Sequence, residues 1–319
     1  MRRCAKICSW MAVCIALAGC QNNLKSRTIY VVPRDTAEAL WVTEHMGAAE
    51  AAAKANLQIY WNGANGEGDV DQQIVLAERA IRTGSYGLIL SPNSPYALNT
   101  VVRRALSQRI PVVIVGAAIP LTPSPGLFFV LTDVNKTGQL AAERFEGRRG
   151  EVAIVGLDPL SPGSIDRSEA FEAALHNSAP EQRIVGKVLG PLSFGQAEFK
   201  TERIIRAHPG ITSIFALNVT GARAAVSAVR TTRTEDRIRI VGCDQALDLL
   251  FLLRQGKIDG LVIQNTRKMG NDAVAAIVAA HHEKRMPTVT TVEPVLVTKE
   301  NIDSERVQQM LLMNWRVGQ

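Results

Sequence analysis

The chain has 319 residues, 46% of them hydrophobic, with a formal charge of +6 and only five cysteines and five histidines. That balance is globular rather than disordered. Three of the cations, Arg2, Arg3 and Lys6, stand before any acidic residue, so losing the first 19 residues would lower the charge to +3. No Lys/Arg cluster stands out in the remainder, and a nucleic-acid partner loses its main support.

In chain order, the three cations lead into an apolar stretch from Ile7 to Leu17, the layout of a secretory signal. The stretch is about half of the roughly 20 residues that a membrane-spanning helix needs, so a permanent span is not expected. Leu17-Ala18-Gly19-Cys20 resembles the lipobox of bacterial lipoproteins, in which the chain is cut before the cysteine. The resemblance implies a signal peptide over 1–19, lipidation of Cys20 and a short tether over 20–27. Cys4, Cys8 and Cys14 leave with the leader, so Cys243 remains as the free thiol. A disulfide framework and a cysteine metal site are thereby excluded.

Beyond the tether, short β-branched and aliphatic runs alternate with amphipathic segments, the signature of parallel sheets covered on both faces. Strands are expected at 28–32, 57–61, 87–90, 112–115 and 128–131, then at 152–155, 184–189, 213–216, 238–241 and 260–263. About 300 residues exceed the size at which one core stops growing, so two lobes are expected. The fold class is α/β, with two similar doubly wound parallel-sheet lobes. Ile74, Ala77 and Ile81 mark one helix face, and Ala222, Ala225, Val226 and Val229 another, with Asp71 and Thr220 as expected N-caps. A last helix over about 267–282 and a late strand over 292–297 come too late for a third lobe. They are expected to cross back, one to each lobe, as a multi-strand hinge. The first lobe is then 28–132 plus 265–291, and the second 133–264 plus 292–319.

Four stretches of the second half carry a family resemblance. Ile165-Asp166-Arg167-Ser168 looks like an arginine-bearing helix start, and Phe215-Ala216-Leu217-Asn218 like a strand ending in a ligand-binding asparagine. Val241-Gly242-Cys243-Asp244 and the segment from Gly256 to Gln264 complete the set. With the strand order, they resemble the periplasmic sugar-binding proteins of the ribose-binding type, the soluble receptors of ATP-driven (ABC) importers. That resemblance implies a type I periplasmic binding protein fold and a ligand held by Trp41, Arg167, Asn218, Asp244 and Gln264. It adds Phe194 or Leu192 as an opposite wall. It also implies a sugar or polyol as partner, a membrane permease, a monomer tethered through its lipid, no cofactor and no catalysis. Asn218, Asp244 and Gln264 sit at strand ends, where open α/β sheets bind ligands. A carboxylate, a guanidinium and amides supply the mixed donors and acceptors that hydroxyl groups require. Asp244 and Asn218 could equally be helix N-caps.

The first lobe departs from the ribose-type pattern. Gly116-Ala117 follows Val115 where the family carries an aspartate-arginine pair, and Glu38 replaces an early asparagine. A larger or differently substituted sugar, or a cyclitol, is expected, with Arg34, Asp35 or Glu38 supplying new contacts. No phosphate loop, dinucleotide fingerprint or nucleophile elbow occurs. His281-His282-Glu283 lacks the second histidine a zinc helix needs at i+4. Two other readings share the same lobes, a sensory receptor for a membrane kinase or chemoreceptor and a sugar-responsive repressor. The second would need a helix-turn-helix where the leader stands.

Overall fold

The computed structural model describes residues 27–311 apart from Glu67 and Leu192. The expected leader and Cys20 lie outside the described residues. Among those described, no helix is long and apolar enough to cross a membrane.

Two six-stranded sheets form. From edge to edge the first runs Val289–Val292, Leu127–Thr132, Val112–Gly116, Gly87–Leu90, Thr28–Val32, Gln58–Trp61, and the second Val295–Val297, Gly260–Ile263, Arg239–Cys243, Ile211–Ala216, Gly150–Leu157, Gln182–Leu189. In the first sheet, β1 (Thr28–Val32), β2 (Gln58–Trp61), β3 (Gly87–Leu90), β4 (Val112–Gly116) and β5 (Leu127–Thr132) are all parallel. In the second, β6 (Gly150–Leu157), β7 (Gln182–Leu189), β8 (Ile211–Ala216), β9 (Arg239–Cys243) and β10 (Gly260–Ile263) repeat the pattern. Central strands such as β3, Gly-Leu-Ile-Leu, are buried at every position because helices cover both faces.

The helices are α1 (Ala39–Lys54), α2 (Val70–Arg82), α3 (Asn99–Ser107), α4 (Val134–Glu143) and α5 (Ser164–Ser178). They continue with α6 (Phe194–Ala207), α7 (Val219–Thr231), α8 (Leu247–Arg254), α9 (Thr266–His281) and α10 (Glu305–Leu311). The faces predicted for α2 and α7 pack inward, Ala77 and Ile81 in one core and Ala222, Ala225 and Val229 in the other. The predicted N-caps shift by two residues. Asp69 accepts from Gln72 N at 3.1 Å and Asn218 from Gly221 N at 2.7 Å, so Asp71 and Thr220 already lie inside the first turns.

The expected single late strand is two strands. β11 (Val289–Val292) pairs parallel with β5 in the first sheet, whereas β12 (Val295–Val297) pairs antiparallel with β10 in the second. Glu293-Pro294 separates them, and proline brings no N–H to continue a ladder. Val292 therefore belongs to the first sheet. The chain passes between sheets after β5, after β10 and between β11 and β12. Helix α9 returns to the first lobe, where Gly47 of α1 and Gly270 of α9 let two backbones touch. A Cβ on Gly270 would stand 2.1 Å from Glu44 O, and one on Gly47 would stand 1.9 Å from Arg267 O. Helix α10 instead closes the second lobe, burying Val307, Met310 and Leu311 beside Leu249 and Leu253.

Candidate functional site

The C-terminal ends of both sheets face a cleft of about 640 Å³ between the lobes. Such a volume falls in the range of ligand pockets, and its position follows the strand-end rule. Trp41, Glu38, Arg167, Asn218, Asp244 and Gln264 all line it.

Its most connected element is a chain of side chains that links the two sheets. Asp244 closes β9 with φ +67, a left-handed conformation uncommon for a non-glycine residue. Its Oδ2 accepts from Arg167 Nη1 at 3.1 Å and its Oδ1 from Gln264 Nε2 at 2.6 Å. Gln264 Oε1 accepts in turn from the Thr132 hydroxyl at the end of β5, so the network joins the two sheets. Arg167 Nη1 also donates to Leu217 O. Asp244 is thus not an N-cap, since Ala246 occupies that position of α8. Each Asp244 oxygen receives one protein donor and retains capacity for another. Beneath it, burial pushes the Cys243 thiol up to about 12, although the nearby Arg167 cation pulls the other way, so the thiol stays protonated at neutral pH.

Asn218 is held at both ends. Besides capping α7, its Nδ2 donates to Gly156 O at 3.0 Å, and a Cβ on Gly156 would approach its Oδ1 to 2.8 Å. Trp41 is buried, and its Nε1 donates to Asp35 Oδ2 at 3.1 Å. Asp35 Oδ1 accepts from Ala37 N and Glu38 N, which orders the entry to α1. The Arg34 guanidinium lies 5.8 Å from the Trp41 ring. Phe194 does not line the cleft. Ser193 and Gln196 form a capping box that starts α6 at Phe194, and the ring stands half-exposed outside while Ser193 and Ala197 face in. Leu192 is outside the described residues.

The lobes touch on two rims. Arg34 of the first donates to Ser161 Oγ at 2.9 Å and to Pro162 O at 3.1 Å in the second. Glu38 accepts from Arg223 Nη1 at 3.4 Å, and Arg223 is itself anchored on Asp248 at 2.7 and 2.9 Å. That anchor holds the Asp248 carboxyl below the usual range. Glu38 is thereby engaged in a lobe-to-lobe ion pair.

Below the first-lobe wall lies a buried polar layer that the sequence reading missed. Gln73 Nε2 donates to Pro33 O and Ser91 O, and its Oε1 accepts from Asn93 N, which ties the ends of β1 and β3 together. The Ser91 hydroxyl lies 3.1 and 2.8 Å from the two oxygens of Glu44, which is fully buried. Burial raises the Glu44 carboxyl to about 7, against the Ser91 bond and the Arg34 cation. Asn93, Thr132, Ser161 and Ser164 also line the cleft. Thr132 ends β5, Asn93 lies in the loop after β3, and Ser161 and Ser164 lie in the loop and helix start after β6, so the strand-end rule applied to every strand points to this side of the sheets. Among the described residues, no group of three or more histidines, cysteines or carboxylates could hold a metal.

Residues 29–284 match the periplasmic binding protein domain. The chain belongs to that family. It is 26% identical to a D-ribose/D-allose-binding protein of Pseudomonas aeruginosa over 72% of this chain and 74% of that one. It is 25% identical to a D-apiose import binding protein of Paraburkholderia graminis over 73% and 75% of the two chains. Among solved structures, a carbohydrate transporter solute-binding protein from Agrobacterium radiobacter, in complex with D-arabinose, superposes with a TM-score of 0.81. That match covers 91% of this chain and all of the other at 23% identity, and it establishes the fold as the two-lobed type I periplasmic binding protein.

Proposed function

We propose that this chain is the substrate-binding lipoprotein of an ABC importer, binding a sugar or sugar-like polyol between lobes that close by hinge motion. The observation that carries the reading is the Arg167–Asp244–Gln264–Thr132 network, which lines a cleft at the strand ends of both sheets. It offers a guanidinium, a carboxylate with spare acceptor sites, and an amide, the set that a vicinal diol can satisfy. Membership of the periplasmic binding protein family and the names of the ribose-, allose- and apiose-binding relatives support the same ligand class.

The lobes are 28–132 with 265–292, and 133–264 with 293–311. Three chain crossings connect them, and a ligand touching both favours the closed arrangement by its differential affinity. The protein acts as a monomer that performs no catalysis and passes its ligand to a membrane permease. Cys20 carries the lipid that keeps it at the membrane, facing the periplasm or the cell exterior.

Calorimetric titration with D-ribose, D-allose, D-arabinose and D-apiose, extended to cyclitols, tests the binding reading. A saturable heat and a ligand-dependent rise in melting temperature are expected. Silence across the panel, with no ligand released on denaturation, would refute it. The anchor is tested separately: labelled palmitate should enter the wild type and not Cys20→Ala.

A further inference from the structure

All strands of the first sheet run parallel, so they start together at the pole of the lobe opposite the cleft. The helix ends and loops that lead into those strands carry Arg27, Lys54, Arg82, Arg109, Lys284 and Arg285, against a single acid, Glu283. Contacts join these segments into one surface. Arg27 Nε and Nη2 donate to Asn56 O at 3.1 and 2.7 Å, and Tyr86 N donates to Thr28 O at 2.9 Å. His281 Nε2 lies 2.6 Å from Tyr86 O, and Leu88 N donates to Pro111 O at 2.9 Å. All six cations are exposed, and none makes an ion pair with another described residue.

Helix C-termini favour cations in any fold, so the second lobe serves as the control. The corresponding helix ends and loops before β6 to β10 hold seven cations and six acids, close to balance. There Arg144 pairs with Asp259 and Arg149 with Glu181, while Arg148 and Arg237 are spent on backbone carbonyls. Both poles collect helix C-termini, yet only the first is strongly cationic, so helix polarity does not account for the difference. The expected anchor, Cys20, stands seven positions before Arg27, which keeps it within about 25 Å of this pole, and Lys25 lies between them.

We propose that the first-lobe pole docks on the anionic phospholipid headgroups of the membrane that holds the lipid. The inference rests on the anchoring part of the proposed function and adds an orientation to it. A lipid holds one end of the chain at the membrane and leaves the body free to turn, whereas cations spread over a whole pole fix which end faces the headgroups. Each cation beside an anionic surface is worth about fivefold in affinity, an attraction that fades over a Debye length of about 8 Å at physiological salt. With this pole down, the cleft lies at the far ends of the same strands, clear of the headgroups and open to its ligand.

The test is amide hydrogen exchange of the full chain, purified from membranes and placed on vesicles of phosphatidylcholine alone or of phosphatidylcholine with phosphatidylglycerol. On the anionic vesicles, amides in 55–58, 83–87, 109–112 and 282–288 should exchange about tenfold or more slowly than on the neutral ones. Amides in 144–149 and 232–238 of the second lobe should not change. Salt at about 1 M, where the Debye length is about 3 Å, should abolish the slowing. The combined substitutions Arg82→Glu, Arg109→Glu and Lys284→Glu should do the same at low salt. Equal exchange on both kinds of vesicle, or equal slowing at both poles, would overturn the inference. Palmitate labelling of the same preparation reads the anchor separately. Labelled protein without slowed exchange refutes the docking pole and leaves the anchor standing, and slowed exchange without label does the reverse.

Discussion

Replacing Glu44 by glutamine probes the buried layer under the cleft floor. Its carboxyl has no exposure and, among the described residues, the Ser91 hydroxyl as its hydrogen-bonding partner, and it sits at about 7 against an ordinary value of 4.5. At 1.36 kcal/mol per unit, that difference makes the charged form cost about 3 kcal/mol of folding free energy. Between pH 4.5 and 7 the native protein keeps a proton that the unfolded chain has released. Stability contributed by this group therefore drains as pH rises through that window, and the whole penalty is present above it. Glutamine fits the same space, can accept from Ser91 and never ionises. Glu44→Gln should thus be about 3 kcal/mol more stable than the wild type at pH 8.5, and within about 1 kcal/mol of it at pH 4. Urea unfolding of both proteins, followed by far-ultraviolet circular dichroism at the two pH values, measures the difference. A stability difference that does not change with pH, or a loss at pH 8.5, would refute the assignment of a buried titrating carboxyl at this position.

Asp244→Ala leaves the largely buried Arg167 guanidinium without its carboxylate and removes an acceptor from Gln264. Stability should fall by about 3 kcal/mol, and sugar affinity at least a hundredfold by calorimetry. Arg223→Ala breaks the Glu38 contact on one rim while leaving the strand-end network intact. A partly exposed pair is worth up to about 1 kcal/mol, so ligand release in stopped flow should quicken by no more than about fivefold, with association unchanged. An equal fall in association rate would count against a role in holding the lobes together. Gly270→Ala drives a methyl into the Glu44 carbonyl of α1 and should lower the melting temperature by several degrees, whereas Gly66→Ala, in open space, should not.

Much of the architecture was readable along the chain. Val112–Val115 and Leu261–Ile263 are apolar runs inside strands, and the helices between such runs repeat at 3.6 residues, so both lobes and all ten main strand positions follow from local patterning. That Arg167, Asp244 and Gln264 line the cleft was legible from the family resemblance and because a polar side chain closing a strand or opening a helix in such a fold faces the cleft. Phe194 was not, since the capping box that turns it outward depends on where α6 begins, and helix starts are the least determined feature of a periodic pattern.

What only the tertiary structure decided is the partnering of those residues. Asn218 caps its helix and holds Gly156, Glu38 meets Arg223 across 185 positions of sequence, and Thr132 meets Gln264 across 132. The splitting of the last strand between two sheets at Glu293-Pro294 belongs with them. The physical reason is common to all. Propensity and periodicity act over a turn or two of chain, whereas a hydrogen bond across the cleft depends on how the two lobes are set against each other.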